Sequence, residues 1–217
     1  ATDVVATVAQ VHPRPPQVTP AQGAALGIPV GTAYQTLRSL SVGAGDALLV
    51  HAGSGAVGQA LIQYAVLWGA TVVATSSERR FDAVRSLGAT PVAYGDGLIQ
   101  RVREAAPNGL TVVIDAAGTD EALQTSVELV PDLDHVATLV RGKDAASLGI
   151  RAFSGGSPRP LTTQQQAWRA EAVPVTLALL AADRFRVELG PSFALADAAE
   201  AHRAVEAGVD GKITLVP

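Results

Sequence analysis

The chain has 217 residues, 48% of them apolar and 17% charged, which is enough to bury the core of one large domain or two small ones. Its 16 lysines and arginines stand against 20 acids, and a net charge of −4 excludes the basic surface typical of nucleic-acid binding. Without cysteine there is no disulfide, catalytic thiolate or cysteine-ligated zinc in these residues, and without an apolar run of bilayer length we expect a soluble, cytoplasmic protein with no membrane partner.

Short apolar strands alternate with one-sided apolar helices from residue 46 onwards. Strands are predicted at residues 46–52, 71–75, 91–94, 110–115 and 136–140. Helices are predicted between them at residues 57–68, 81–87, 98–105 and 122–129. The links between these elements are short. This order predicts an α/β fold with a doubly wound parallel sheet of the Rossmann type and right-handed crossovers.

The two flanks of this alternating region follow other patterns. Residues 4–11 are strand-like and run into a proline-rich connector at residues 12–16, which cannot be helical. A loop rich in glycine and proline at residues 153–161 precedes a long helix at residues 163–183, which Pro174 is expected to kink or divide. The tail is predicted to contain a strand at 186–189, a helix at 195–207 and a last strand at 212–216.

The first predicted strand ends in a glycine-rich turn with the pattern G-x-G-x-x-G, Gly53-Ser54-Gly55-Ala56-Val57-Gly58. The pattern alone is weak, but here it follows a strand and opens a helix, which is the context of a dinucleotide site. Gly53 would allow a tight turn, Gly55 would let the backbone approach a pyrophosphate, and Gly58 would let helix and strand pack closely. The free N–H groups of the helix start would then face the anion. The turn therefore predicts phosphate binding.

The end of the second strand bears on which dinucleotide is bound. A site for NADH usually places an acid about twenty residues beyond the glycines, where it bonds the ribose hydroxyl. Residues 71–77 contain no acid, and Ser76 and Ser77 precede Glu78, Arg79 and Arg80. Hydroxyls and guanidinium groups suit a 2′-phosphate, although Glu78 weakens their field. The pattern favours NADPH over NADH, and the alternative is an exposed helix start with ordinary surface arginines.

With these residues in view, the chain resembles the medium-chain dehydrogenase/reductase superfamily and is most similar to its zinc-independent, quinone-oxidoreductase-like branch. The resemblance rests on several segments taken together, each weak alone. The segments are GTAYQTL at 31–37, GAGDALLVHA at 43–52, LGAT at 87–90, VVIDAAG at 112–118, AAEAHR at 198–203 and GKITLVP at 211–217.

The resemblance also implies a division of the chain into three parts. Family members carry a GroES-like, mostly β substrate domain ahead of the cofactor domain, and most of it is missing here. Residues 1–30 would be a remnant of that domain, residues 31–183 the Rossmann cofactor domain, and residues 184–217 a segment returning to the substrate domain. In zinc-dependent relatives the metal ligands come largely from the missing part, so no metal site is expected in these residues.

The resemblance implies a set of cofactor-binding residues in addition to the glycine turn. Backbone N–H groups of Ser54, Ala56 and Val57 would meet the pyrophosphate, and Ser76, Ser77 and Arg80 the adenosine ribose and its 2′-phosphate. The small residues Ala116, Ala117 and Gly118 would pass close to the cofactor. The nicotinamide would be flanked by Thr138, Leu139, Val140, Phe153 and Ser154, with Thr32 facing the same crevice.

No catalytic acid is evident in the sequence. Tyr34, on the helix with Thr32, is a weak candidate for a proton donor, but an aromatic residue on an apolar helix face is more often part of the core. Asp115 ends the fourth strand, and orienting the turn that follows is its favoured role over ligand contact. His51, beside the glycines, is assigned to packing or hydrogen bonding. The histidines have no metal-ligand spacing.

The sequence leaves more than one function open. The first is an NADPH-dependent oxidoreductase that transfers hydride to a carbonyl, enone or quinone substrate, or the cofactor-binding part of one. The second is an NADPH-binding module without turnover, such as a sensor, a partner subunit or a shortened chain. An enoyl-reductase portion of a larger synthase is a weaker third. A homodimer through an uncovered strand edge at residues 136–140, or a second chain supplying the missing domain, is the expected association.

Overall fold

The computed structural model describes residues 3–153 and 159–217. Its main sheet has six parallel strands in the order β3-β2-β1-β4-β5-β6, and a separate parallel pair joins β7 to β8. The strands are β1 Ala47–His51, β2 Thr71–Ser76, β3 Thr90–Ala93, β4 Val112–Asp115, β5 Val136–Thr138, β6 Arg151–Ala152, β7 Leu189–Ala194 and β8 Lys212–Val216. The helices are α1 Pro20–Ser39, α2 Ala56–Leu67, α3 Phe81–Ser86, α4 Leu98–Ala105, α5 Asp120–Leu129, α6 Ala145–Leu148, α7 Thr163–Ala181 and α8 Ala198–Glu206.

The doubly wound sheet predicted from the alternating pattern is confirmed. The chain runs outward from β1 through β2 to β3, then returns to the other side of β1 with β4. Because the strand order reverses between β1 and β4, their carboxyl ends leave a crevice where ligands bind in sheets of this kind. The glycine turn follows β1 and the 116–118 turn follows β4, so both face this crevice.

The core lies on the two faces of the sheet, as expected for strands buried on both sides. Leu48 and Val50 of β1 pack into a cluster with α1, α2 and α7, whereas Leu49 packs into the cluster with α4 and α5. All three side chains are fully buried. Alternate residues of a strand point to opposite faces, and burial of each such side chain stabilises the fold by about 1.5–3 kcal/mol.

The long helices α1 and α7 lie against each other on one face of the sheet. Helix α1 is bent at Gly27, whose φ of 9° and ψ of −107° are not helical, two residues before Pro29. Helix α7 instead continues through Pro174, so the expected division of this helix is wrong. Ala172 and Thr176 on either side of the proline are buried, and this packing holds the helix together across the missing hydrogen bond.

The predicted strand at residues 4–11 is also wrong. The structure has a short 3-10 helix at Val8–Gln10 and no regular element before it among the described residues. Val4, Val5 and Val8 are exposed by 88%, 101% and 93%. A strand needs a hydrogen-bonded neighbour, and the described chain offers none here, so the β-branched pattern alone does not produce one.

The C-terminal unit, defined here as residues 184–217, forms a small β-α-β arrangement. Its last strand and helix were predicted, but its first strand is Leu189–Ala194 rather than 186–189. Gln63 of α2 ties the unit to the helices packed on the six-stranded sheet: its Nε2 donates to the carbonyl of Arg186 at 3.0 Å, and its Oε1 accepts from the Arg186 N–H at 2.7 Å. The unit thereby lies beside α2.

The strand edge expected for dimerisation is covered. The strand within residues 136–140 is β5, and it pairs with β4 on one side and with β6 on the other. The outer strands of the sheet are β3 and β6. The sequence did not reveal β6 because Arg151–Ala152 is only two residues long and has no hydrophobic period.

Candidate functional site: a glycine cradle and its acidic rim

The turn after β1 brings the backbone of α2 against the sheet. Ala52, with φ of 58°, adopts the left-handed conformation, so the tight turn is made there and not at Gly53 as predicted. Gly53 is needed for a different reason: a Cβ on it would lie 2.6 Å from the Cβ of Ala74 on β2. A Cβ on Gly58 would lie 2.2 Å from the carbonyl oxygen of Ala52, so α2 packs closely on the turn; the prediction from the sequence was close packing of helix and strand.

The amino end of α2 is open for an anion. Its N-cap residue is Gly55, which has no side chain to accept hydrogen bonds from the N–H groups of the first turn. A Cβ on Gly55 would meet only the Ala52 carbonyl, at 3.4 Å, so its outer side is free. Unpaired N–H groups and the positive end of the helix dipole then face the same space. This arrangement suits phosphate oxygens.

A cavity of about 250 Å³ lies in front of this helix end. It is lined by the glycine turn at Ser54 and Gly55, by α1 at Pro29, and by the C-terminal unit. Lys212 contributes a cation to its wall, whereas Glu188 and Asp210 contribute carboxylates. The volume is below the roughly 300–1,000 Å³ of whole-ligand pockets, so the cavity suits the phosphate portion of a larger ligand.

The polar side chains at the end of β2 already have partners within the protein, which the sequence did not suggest. Ser76 is buried, and its hydroxyl donates to the Ser77 carbonyl at 3.2 Å. Arg80 forms an ion pair with Glu188, and Arg79 pairs with Asp210 at 2.5 Å. The hydrogen bond from Arg80 lowers the pKa of Glu188, which therefore stays ionised at neutral pH. The predicted phosphate-binding guanidinium groups are thus held by carboxylates of the C-terminal unit.

Sequence analysis did not identify Glu188, Asp210 or Lys212 as site residues. Glu188 lies 108 residues after Arg80 in the chain, and Asp210 lies 131 residues after Arg79. No local pattern carries a pairing over such a distance. Lys212 was considered only as part of the GKITLVP segment at residues 211–217, without a role in binding.

Asp115 organises the opposite wall of the crevice. Its carboxylate is fully buried and accepts hydrogen bonds from the N–H groups of Ala117 at 2.9 Å and Gly118 at 2.8 Å, and from the Thr138 hydroxyl at 2.8 Å. The turn-orienting role favoured from the sequence is confirmed. Because Asp115 joins the ends of β4 and β5, it sets the shape of both turns at the crevice.

The residues predicted to flank the nicotinamide lie on these two turns and behind them. Gly118 has φ of 70°, and a Cβ on it would lie 2.5 Å from Val140 Cγ1, so the turns pack closely. Thr138 is buried, Leu139 packs on the core, and Val140 is 52% exposed. Phe153 is buried, and its N–H donates to the Thr138 carbonyl at 3.1 Å. Ser154 lies outside the described residues.

Thr32 and Tyr34 do not line the cavity beside the glycine turn. The ring of Tyr34 packs edge-on against Tyr64 and Trp68, with 5.3 Å between ring centroids in each case. Burial, together with the Glu171 carboxylate, raises the pKa of Tyr34. The Thr32 hydroxyl accepts from Arg169 Nη2 at 2.7 Å. Trp68 caps the far end of α2, so Tyr34 belongs to the core, and we assign it no proton transfer.

His51 is buried where β1 meets the glycine turn. Its Nδ1 lies 3.5 Å from the Thr75 hydroxyl, and its Nε2 has no hydrogen-bond partner among residues 3–153 and 159–217. Burial lowers the pKa of His51 to about 4, although the Asp115 carboxylate acts in the opposite direction. The imidazole is therefore neutral at physiological pH and does not act as a general acid there.

Acidification should destabilise the protein through His51. A pKa of about 4 in the folded state lies below the ordinary 6.5, so the unfolded chain binds a proton first. The stability that neutral His51 contributes is fully present above pH 6.5 and is lost as the pH falls towards 4. We expect the free energy of unfolding in urea to drop by about 2 kcal/mol between pH 7 and pH 5 from this group. His51→Gln should remove that component, whereas His202→Gln, an exposed histidine on α8, should retain it. Equal pH dependence in all three proteins would contradict this assignment.

A zinc site is not supported by the part of the chain that the structure describes. No group of three or more His, Cys, Asp or Glu side chains there could hold a metal ion.

None of the described helices combines the length and apolar character needed to cross a bilayer.

A parallel sheet with a glycine turn after its first strand defines this chain as a Rossmann-type α/β protein. A family profile described as zinc-binding dehydrogenase matches residues 56–148. The chain is 43% identical over 86 residues to the pikromycin polyketide synthase component PikAII of Streptomyces venezuelae, covering 39% of this chain and 2% of that protein. It is 40% identical over 85 residues to the chloroplastic quinone-oxidoreductase homolog of Spinacia oleracea, covering 36% and 26%.

Solved structures give the same result over almost the whole chain. The mycobacterial protein Rv1454c, solved in complex with NADPH, superposes with a TM-score of 0.72 at 26% identity, covering 94% of this chain and 66% of that one. The chain is thus similar to zinc-binding dehydrogenases over residues 56–148 and to quinone oxidoreductases of known structure over most of its length. It matches less than two thirds of the length of these relatives.

Proposed function

We propose that this chain is the cofactor-binding part of an NADPH-dependent oxidoreductase. The observation that carries the proposal is the glycine cradle at the amino end of α2, where Gly53 and Gly58 leave no room for side chains and a cavity of about 250 Å³ opens before the helix. Such a cradle suits a pyrophosphate. Quinone oxidoreductases among the structural relatives support the reaction class.

Several groups of this chain would hold the cofactor. The N–H groups of Ser54, Ala56 and Val57 bind the pyrophosphate, with the ammonium of Lys212 in the cavity wall. The turns at residues 116–118 and 138–140, with Phe153, border the nicotinamide end of the crevice. Reduced nicotinamide supplies hydride, here for a carbonyl, enone or quinone substrate. The protein orients the two reactants and excludes water from them.

NADPH rather than NADH is proposed on the residues after β2. No acid stands at residues 71–77; Ser76 is the last residue of β2, and Ser77 and Arg80 follow it. The guanidinium of Arg80, paired with Glu188 in this structure, is of the type that suits phosphate oxygens. The NADPH bound to the mycobacterial relative is in line with this choice.

Binding without turnover is the second candidate. Tyr34, the proton donor considered from the sequence, lies in the core and has no role in the reaction. The chain matches 66% of the NADPH-bound relative, so a substrate domain supplied elsewhere would be needed for reduction.

The match to a polyketide synthase component makes an enoyl-reductase unit of a larger synthase one form of the first proposal. A homodimer remains a proposal, with β3 and β6 as the strands available for pairing.

Titration calorimetry of this chain with NADPH and with NADH tests the proposal. We expect tighter binding of NADPH, and we expect Arg80→Gln to weaken NADPH binding about tenfold, the scale of one hydrogen bond to a charged group. NADH affinity should stay unchanged in that variant. Arg103→Gln, which removes an exposed arginine paired with Glu128 at 3.1 Å, is the matched control and should alter neither affinity. Failure of the unsubstituted chain to bind either dinucleotide would overturn the proposed function.

A further inference from the structure

The guanidinium of Arg80 is held in place before any ligand arrives. Its side chain is 12% exposed, and its Nη2 donates to Glu188 Oε2. Its Nη1 lies 3.4 Å from Asp210 Oδ2. Its Nε has no hydrogen-bond partner among the described residues. Arg80 is thus a nearly buried cation whose charge is already balanced by carboxylates of the C-terminal unit.

Glu188 also reaches the glycine turn. Its Oε2 accepts from Gln59 Nε2 at 2.6 Å, and the same amide nitrogen donates to the Ser54 carbonyl at 2.8 Å. Glu188, Gln59 and Ser54 all line the cavity before α2. One carboxylate therefore joins the arginine after β2 to the turn after β1, across the space between the two phosphate-binding elements.

The charge of Glu188 acts differently on the two dinucleotides. A 2′-phosphate brings about 1.5–2 negative charges and competes with the carboxylate for the same N–H donors of Arg80. Like charges within a few ångströms repel, so NADPH must displace or protonate Glu188 to use Arg80. NADH has a neutral hydroxyl at this position, which can donate to a carboxylate.

From this arrangement we propose that Glu188 is a specificity-determining residue that lowers the preference for NADPH over NADH by competing with the 2′-phosphate for Arg80. This inference rests on the proposed function, since it requires a dinucleotide at the glycine turn. It assigns to the C-terminal unit a direct part in cofactor choice, through a side chain outside the β2 end where sequence patterns for this choice are read.

Calorimetric titration of Glu188→Gln with NADPH and NADH tests the inference. The substitution removes the charge and keeps a side chain of nearly equal size. We expect about tenfold tighter NADPH binding, the scale of one charge-assisted hydrogen bond, and no gain for NADH. Asp210→Asn, which releases Arg79 and the more distant contact to Arg80, should shift the preference in the same direction by a smaller factor.

Two further variants separate competition from a general charge effect. Glu104→Gln changes the net charge equally on α4, away from the cavity, and should leave both affinities unchanged. In an Arg80→Gln background, Glu188→Gln should no longer improve NADPH binding, because there is no guanidinium left to release. Circular dichroism melts of each variant establish that the C-terminal unit remains folded.

Each outcome bears on one hypothesis. A rise in affinity for both dinucleotides by the same factor, or no change for NADPH, would overturn the role of Glu188 while leaving dinucleotide binding intact. An equal gain with and without Arg80 would overturn the competition. Failure of every variant and of the unsubstituted chain to bind would overturn the proposed function itself and this inference with it.

Discussion

Gly58→Ala is expected to destabilise the fold strongly and to abolish dinucleotide binding. The added Cβ would lie 2.2 Å from the Ala52 carbonyl oxygen and 2.7 Å from the Cα of Gly53, and both are backbone atoms that cannot rotate away. Alanine favours a helix interior by about 1 kcal/mol over glycine, so propensity alone predicts the opposite sign. Overpacking against backbone outweighs it, and we expect a loss of about 3 kcal/mol in the free energy of unfolding in urea.

Gly43→Ala is the control for this substitution. Gly43 has no heavy atom within 4 Å of an added Cβ, and it precedes β1 rather than following it. The free energy of unfolding of the Gly43→Ala variant should differ from that of the unsubstituted chain by less than about 0.5 kcal/mol, as for surface substitutions generally. If Gly58→Ala were as stable as Gly43→Ala, the close approach of α2 to the turn would be refuted.

Asp115→Ala is expected to cost about 3 kcal/mol of stability and to weaken NADPH binding. The carboxylate is fully buried and accepts from two backbone N–H groups and from the Thr138 hydroxyl. Removing it leaves three donors without their acceptor in a buried site, and each such loss costs about 1 kcal/mol or more. Binding should weaken because the turns after β4 and β5 lose the group that joins them. Urea unfolding and NADPH titration measure the two effects.

Asp132→Ala provides the comparison for Asp115. The Asp132 carboxylate makes a similar local contact, accepting from the Asp134 N–H at 3.0 Å, but it lies at an exposed turn. Water replaces an exposed acceptor, so the loss should be below about 1 kcal/mol. Asp115→Asn, which keeps an acceptor oxygen, should recover part of the stability. Equal losses at positions 115 and 132 would show that burial of the Asp115 network does not contribute.

Local sequence patterns predicted the sheet well for a definite reason. In β1 the residues Leu48, Leu49 and Val50 are apolar without a break, and the structure buries them on both faces. Such a run followed by a glycine turn and a helix is itself the signature of a buried parallel strand. The prediction of a strand at residues 4–11 failed because the apolar alternation there has no partner strand among the described residues.

The candidate site divides in the same way. The glycine turn and the role of Asp115 could be predicted, because each depends on residues within a few positions of one another. Tyr34 packs in the core against Trp68, and β5 is an inner strand because β6 pairs with it. Neither contact follows from a pattern of neighbouring residues. The cofactor contacts of Ser76, Ser77 and Arg80 stay predictions until binding is measured.

The sequence by itself determined the fold class, the order of β1 to β5 with the helices between them, the glycine turn before α2 and the lack of an acid at residues 71–77. These features follow from hydrophobic period and from glycine geometry, which act over one or two turns of chain. Only the tertiary structure decided that Arg80 is paired with Glu188, 108 residues away, and that Lys212 stands in the cavity wall. The reason is physical: an ion pair depends on distance in space, and it is the folded chain that brings Glu188 of the C-terminal unit beside Gln59 of α2 and Arg80.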